Sequence, residues 1–171
     1  MKKILISACL AGDRVRYDGK RVPLTNPALK QWQKNGVLVN VCPEVSGGLA
    51  IPRFEAQIVN GNGQDVLNGK AKVMDINGNE VTVFFIKGAE HALRVAKAHQ
   101  IELAILKEKS PSCGVHCIYN GSFNSTVMAG FGVTAAILKQ NGIKVFSETE
   151  LDQVKCFIDR CYLSGLNQMS Y

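Results

Sequence analysis

Hydrophobic and polar positions along this chain alternate between strand-length and helix-length segments. Four short runs, Ile4 to Ala8, Val37 to Val41, Leu103 to Leu106 and Ile143 to Phe146, are apolar on both faces, as buried parallel strands are. Each of the last three follows a helical pattern. The first helix is predicted from Asn26 as N-cap and Pro27 at the first helical position, through Leu29 and Trp32, to Gly36 just past its end. A second runs from Val81 to Ala98, with Phe84, Ala89, Ala92, Leu93 and Ala96 at helical spacing, although Val81 to Phe84 alone also suits a strand. A third spans Val133 to Gln140 and stops at Asn141-Gly142. The fourth opens on the capping-box pattern Ser147-Glu148-Thr149-Glu150 and runs to about Leu163. Between the second strand and the second helix, Asn60 to Glu80 is rich in Asn and Gly. It holds Val73 to Ile76 followed by Asn77-Gly78-Asn79, which predicts a small hairpin.

These alternations predict an α/β chain: a single three-layer, Rossmann-like domain over residues 1–171, with a mainly parallel sheet flanked by helices and a hairpin excursion. The length of 171 residues suits one hydrophobic core, and 46% apolar with 20% charged residues excludes a disordered or collagenous chain. No apolar run approaches the roughly 20 residues of a membrane helix, and Ile4 to Ile6 is too short for a signal peptide. A cytoplasmic protein with no membrane partner is expected. The net charge of +6 comes from scattered lysines and arginines interleaved with acids, which permits an anionic ligand without demanding a nucleic acid. Six cysteines in a reducing compartment point to metal binding, catalysis or burial rather than to a disulfide framework.

Ligands of open α/β sheets bind beyond the carboxyl ends of the strands, where adjacent loops part. Cys9 directly follows the first predicted strand, Cys42 the second, and Cys113, in Ser110-Pro111-Ser112-Cys113-Gly114, shortly follows the third. Their wide spacing matches no Cys-x-x-Cys pattern, so their convergence is a prediction of topology. The competing expectation is three small apolar residues at strand ends. If they meet, soft thiolates select zinc, copper(I) or an iron–sulfur cluster, and His116 or Cys117 are candidates for a fourth zinc ligand. Cys156 and Cys161 are read as packing residues of the last helix.

Glu44 shares a loop with Cys42, and a carboxyl beside a desolvated metal site can pass protons; the plainer expectation is a solvated loop carboxylate. Ser110 and Ser112 either donate to a bound anion or close a turn around Pro111. Gly47-Gly48 and Gly130-Phe131-Gly132 offer backbone amides to a phosphate, and Arg16, Tyr17, Asp18 and Arg53 are further polar loop residues on that side.

With those residues in view, the chain resembles the thiouracil desulfidase-like family, long catalogued as a domain of unknown function. The likeness covers most of the chain. It is carried by Ile6-Ser7-Ala8-Cys9-Leu10, Arg16-Tyr17-Asp18-Gly19, Cys42-Pro43-Glu44-Val45 with Gly47-Gly48-Leu49 and Pro52-Arg53, Ser110-Pro111-Ser112-Cys113-Gly114 with Ile118-Tyr119, and Gly132-Val133-Thr134-Ala135-Ala136. The resemblance implies a [4Fe-4S] cluster held by Cys9, Cys42 and Cys113, with the fourth iron open to the sulfur of a thiolated pyrimidine. It implies that Glu44 and Ser110 assist catalysis, and Arg16, Tyr17, Arg53 and Ser112 are expected to bind substrate. The expected reaction is hydrolytic, with water adding at the thiocarbonyl carbon and Glu44 shuttling protons. A small thiolated pyrimidine is the expected partner, and a thiolated RNA ranks behind it. Val15, Ala50-Ile51 and Gln57 depart from the family pattern, in which cysteine, Pro-Thr and glutamate are usual; Cys117 is an added thiol. The alternative from another class is a non-enzymatic cysteine-based metal-binding or thiol-redox sensing module.

Overall fold

Four parallel strands, β1 (Ile4–Ser7), β2 (Leu38–Val41), β5 (Leu103–Leu106) and β8 (Lys144–Ser147), form the central sheet in the order β2-β1-β5-β8. The structure is a computed structural model and describes residues 2–22 and 25–167, without the side chains of 161–167. Successive residues of β1 and β5 face opposite layers, as the period of a strand requires. Leu5, Ala104 and Leu106 pack with Ala92 and Ala96 of α4 (Thr82–Ala98) and with Ala135 and Leu138 of α5 (Val133–Gln140). Ile4, Ile6, Leu103 and Ile105 pack instead with Leu29 and Trp32 of α1 (Pro27–Lys34) and with Leu151 and Val154 of α6 (Leu151–Asn167). Helices therefore cover both faces, and the expected three layers are present. Small alanines on α4 and α5 let those helices lie close to the sheet.

Local signals explain the element boundaries. Asn26 caps α1, its side chain accepting the N–H of Ala28 at 2.8 Å, and Gly36 ends the connection with φ +63°. Val81 falls outside the strands as the cap residue of α4, which resolves its ambiguity in favour of the helix. At the last helix the capping signal acts one step before the helix: Glu150 Oε2 accepts the N–H of Ser147 at 2.8 Å, and regular α6 begins at Leu151. Among the described residues no helix is long and apolar enough to cross a membrane.

The excursion differs from the expected hairpin. Residues 72–75 do form a strand, β4 (Lys72–Asp75), but its antiparallel partner is β3 (Ala56–Val59) upstream, and α3 (Gly63–Leu67) connects the two. The Asn77-Gly78-Asn79 turn makes a single bridge, Met74 to Glu80, before the chain enters α4. Ile58, Val73 and Phe85 fill a third core under this ribbon, and Ile137 packs against both that core and the one beneath the sheet. A second ribbon, β6 (Cys117–Tyr119) with β7 (Val127–Ala129), follows β5, and Ile118 closes onto the same third core. Its strands are too short to stand out in the sequence. Cys156 is exposed, so it is not a packing residue; it lies on the solvent face of α6. The side chain of Cys161 lies outside the described residues.

Candidate active site

The carboxyl ends of β1, β2 and β5 lie side by side, and the loop leaving each carries one of the cysteines named above. After β1 the chain turns into a short 3-10 helix, Ala8–Ala11, which sets Cys9 half-buried beside the sheet edge. After β2, Cys42 caps α2 (Pro43–Ser46), which puts Glu44 in its first turn. That short helix is pressed against α4 backbone to backbone. A Cβ on Gly47 would stand 1.9 Å from Phe84 O, and one on Gly88 would stand 1.8 Å from Pro43 O, so only glycine fits at this crossing.

After β5, Ser110 Oγ accepts the N–H groups of Ser112 (3.2 Å) and Cys113 (3.1 Å), closing the turn that buries Cys113. The start of α5 then locks onto this turn. Gly132, Val133 and Thr134 donate their N–H groups to the carbonyls of Gly114, Pro111 and Ser112 at 2.8 to 2.9 Å. The amides of Gly130 and Gly132, which the sequence offers to a phosphate, donate instead to His116 and Gly114 of the cysteine loop, and those of Gly47 and Gly48 close the turn of α2 onto Pro43 and Val45. Both glycine pairs serve packing.

A cleft of roughly 440 Å³ opens over this edge, lined by Cys9, Cys113, Glu44, Arg53, Arg16, Tyr17, Ser110 and Ser112 among others. Cys42 is not among the lining residues, but its thiol reaches Val15, which is, at 3.8 Å from the carbonyl oxygen. Glu44 is held at both oxygens: Arg53 Nε donates to Oε2 at 2.7 Å and Ser112 Oγ to Oε1 at 2.9 Å. Arg53 is in turn fixed by the carbonyls of Val15 (2.9 Å) and Ala50 (3.3 Å). The pair is well sheltered, with side-chain exposures of 8% and 15%. Ser112, only 1% exposed, links Ser110 (2.9 Å), Glu44 and the Cys113 sulfur (3.6 Å) in one hydrogen-bonded chain.

Electrostatics ties the thiols together. Burial pushes Cys9 up to about 11, with the neighbouring Cys42 raising it further and Lys107 opposing. Burial pushes Cys113 up to about 12, a hydrogen bond from Ser7 lowers it, and both Cys9 and Cys42 raise it. Burial raises Cys42 as well, against the Val45 N–H. Each thiolate therefore disfavours the others, and a bound cation removes that conflict by taking all three as ligands. Among the described residues, no three His, Cys, Asp or Glu side chains close tightly enough on one point to hold a single metal ion. Tetrahedral zinc, with Zn–S near 2.3 Å, draws its sulfurs to within about 4 Å of one another. A cubane instead keeps its cysteine ligands apart by its own width. Three soft thiols on the loops of adjacent strands are a donor set of the kind that iron–sulfur clusters take. His116 and Cys117 do not join them: His116 Nε2 pairs with Glu150 at 2.7 Å, and the charges around Cys117 are those of Glu108, Lys109 and Glu148.

The family model for 2-thiouracil desulfurase matches residues 4–150. The chain belongs to the 2-thiouracil desulfurase family. It is 43% identical over 151 residues to the uncharacterized protein YbbK of Bacillus subtilis (strain 168), covering 88% of this chain and 99% of that one. It is also similar to the solved structure of the [4Fe-4S]-dependent thiouracil desulfidase TudS, with a TM-score of 0.85 and 40% identity, covering 93% of this chain and 99% of that one.

Glu108 also lines this cleft, and sequence reasoning missed it. Its Oε1 accepts the successive N–H groups of Val115 (2.9 Å), His116 (3.1 Å) and Cys117 (3.0 Å), pinning the far end of the Cys113 loop. Burial pushes its carboxyl up, but the N–H groups of Cys117, His116 and Val115 outweigh that and hold it below the usual glutamate value. Its folded value therefore lies below the unfolded one of about 4.3, so the stability it contributes is present above that pH and is lost as pH falls through the folded value. Glu108→Gln keeps the acceptor oxygen and loses the charge. It should cost about 1 kcal/mol at pH 7 and flatten the acid limb of a denaturant-unfolding series below pH 4.3. An acid limb identical to the parent's would show that Glu108 plays no such part. Only a fold that returns residues 115–117 to the end of β5 makes this carboxylate legible.

Proposed function

We propose that this chain is a [4Fe-4S]-dependent desulfidase that converts a thiolated pyrimidine, as thiouracil or its nucleoside or nucleotide, to the oxo-pyrimidine and sulfide. The observation that carries this reading is that the loops leaving three adjacent strands bring Cys9, Cys42 and Cys113 to one edge of the sheet, beside a carboxylate held at both oxygens. Cys9, Cys42 and Cys113 would hold the cluster, leaving one iron without a protein ligand. When bound, the cluster supplies a soft Lewis acid suited to sulfur rather than to oxygen.

The remaining chemistry belongs to the chain. The balance is thiocarbonyl plus water to carbonyl plus hydrogen sulfide, with no net redox change. Glu44 takes a proton from the attacking water and returns it toward the leaving sulfur, a role supported by its position in the cleft. Arg53 and Ser112 fix both carboxylate oxygens, so the proton is exchanged at a defined position rather than by a swinging side chain. Ser110 orients Ser112 and the Cys113 amide, and Arg16 and Tyr17 form the outer wall on which a planar base can rest.

Anaerobic purification followed by incubation with 2-thiouracil and 4-thiouracil tests the proposal. A brown protein with about four irons per chain that releases sulfide and oxo-base is expected. A colourless, zinc-loaded protein that leaves both bases intact would establish the metal-binding module instead.

A further inference from the structure

Besides Glu44 and Glu108, the cleft is lined by a third carboxylate, which the proposed chemistry leaves unused. Glu55 lines it immediately before β3, and among the described residues no cation pairs with it, in contrast to the Arg53-bound Glu44. Its partner is Gln57, whose Nε2 donates to Glu55 Oε1 at 3.0 Å. Gln57 is 2% exposed, and its orientation is set by its other contacts. Its Oε1 accepts the backbone N–H of Gly121 at 3.1 Å and of Phe123 at 3.3 Å. Backbone N–H groups only donate, so the amide oxygen must face the β6–β7 turn and the NH2 must face Glu55. That turn is itself seated on β3, since a Cβ on Gly121 would stand 2.6 Å from Ile58 O. Gln57 is thus a fixed donor to an otherwise unpaired acceptor that lines the cleft, beside Tyr119 at the end of β6 and Ser125 of the turn.

We infer that Glu55 is a specificity-determining residue that accepts the ring N3–H of the thiopyrimidine, and that Gln57 is its positioning residue. The inference rests on the desulfidase reading above. In both 2-thiouracil and 4-thiouracil the N3–H lies next to the thiocarbonyl carbon, so an acceptor there fixes the base close to its reacting atom. Glu55 is half-buried, and a base seated against it covers its carboxylate; a base whose ring nitrogen carries no proton then leaves that carboxylate without a donor, and so is rejected.

Glu55→Gln gives a sharp test because it reverses the polarity. With the Gln57 NH2 facing it, the new amide must turn its oxygen toward Gln57 and its own NH2 into the cleft, a donor where an acceptor stood. Sulfide release is measured from 2-thiouracil, whose N3 donates, and from 2-thiocytosine, whose N3 accepts, with iron per chain counted in every variant. The parent should prefer 2-thiouracil. Glu55→Gln should keep its iron, raise KM for 2-thiouracil and shift the kcat/KM ratio of the two bases toward 2-thiocytosine by about 10- to 100-fold. Gln57→Met, which cannot donate, should raise KM for 2-thiouracil by a smaller factor with kcat little changed. A variant that merely disturbs the fold would lose iron and both activities together, and that result would overturn the inference. So would an iron-loaded Glu55→Gln enzyme that keeps the parent's preference. A parent that releases sulfide from neither of these bases but does so from 4-thiouracil overturns this inference alone, and one that releases it from none of the three overturns the desulfidase reading as well.

Discussion

Replacing Cys9, Cys42 or Cys113 by serine is expected to abolish iron incorporation and sulfide release, whereas Cys156→Ser should leave both intact. Serine matches the size of cysteine closely, so each variant should fold, but a hydroxyl is a hard donor that stays protonated where a thiol ionises onto a soft metal. The loss should be complete for any single site. Burial and mutual repulsion already disfavour the thiolates, and a cluster bound by two of them does not recover the free energy of deprotonating both. Cys156 is exposed on α6, outside the cleft, and serves as the internal control for thiol count. The measurement is iron and acid-labile sulfide per chain after anaerobic reconstitution, with visible absorption of each variant. Equal iron across all four variants would contradict the proposed ligand set, and loss in only one would move the ligand role to that cysteine and a different partner.

Glu44→Gln is expected to retain a full cluster and lose turnover by about 10²- to 10⁴-fold, the range typical of removing a general acid–base group. The substitution preserves the contacts better than alanine would. The new amide can turn its oxygen to Arg53 and its NH2 to Ser112, whose hydroxyl rotates to accept. Glu44→Ala, by contrast, would leave the Arg53 guanidinium, 8% exposed, without its carboxylate, and breaking a buried pair in this way costs about 3–5 kcal/mol. A stable, iron-loaded, inactive glutamine variant therefore separates proton transfer from architecture. Loss of iron in Glu44→Gln would make the residue structural or a ligand, and near-parental sulfide release on every thiopyrimidine the parent accepts would remove it from the mechanism.

The sequence by itself determined the four strands of the sheet and the strand-end loops that carry the three cysteines. Both-face apolar runs separated by helical periods are readable because a parallel strand buried between two helical layers has no polar side, and strand ends can be counted from them. Cys9, Cys42 and Cys113 followed from that count, and the motifs around them carried the family resemblance that the match over residues 4–150 bears out. What escaped was everything set by contacts distant in sequence. The pairing of β3 with β4 across α3 was hidden because a four-residue strand gives too little alternation to choose its partner. The Asn62 and Asp65 capping box was the local signal that could have revealed α3. The glycines at 47, 48, 130 and 132 look like anion cradles in sequence, and only the packed chain shows their amides bonded to its own carbonyls. Glu108, Gln57 and the Arg53 clamp on Glu44 were likewise decided by tertiary structure. A carboxylate or amide acquires its role from the donors that the fold brings to it, and those donors lie up to dozens of residues away.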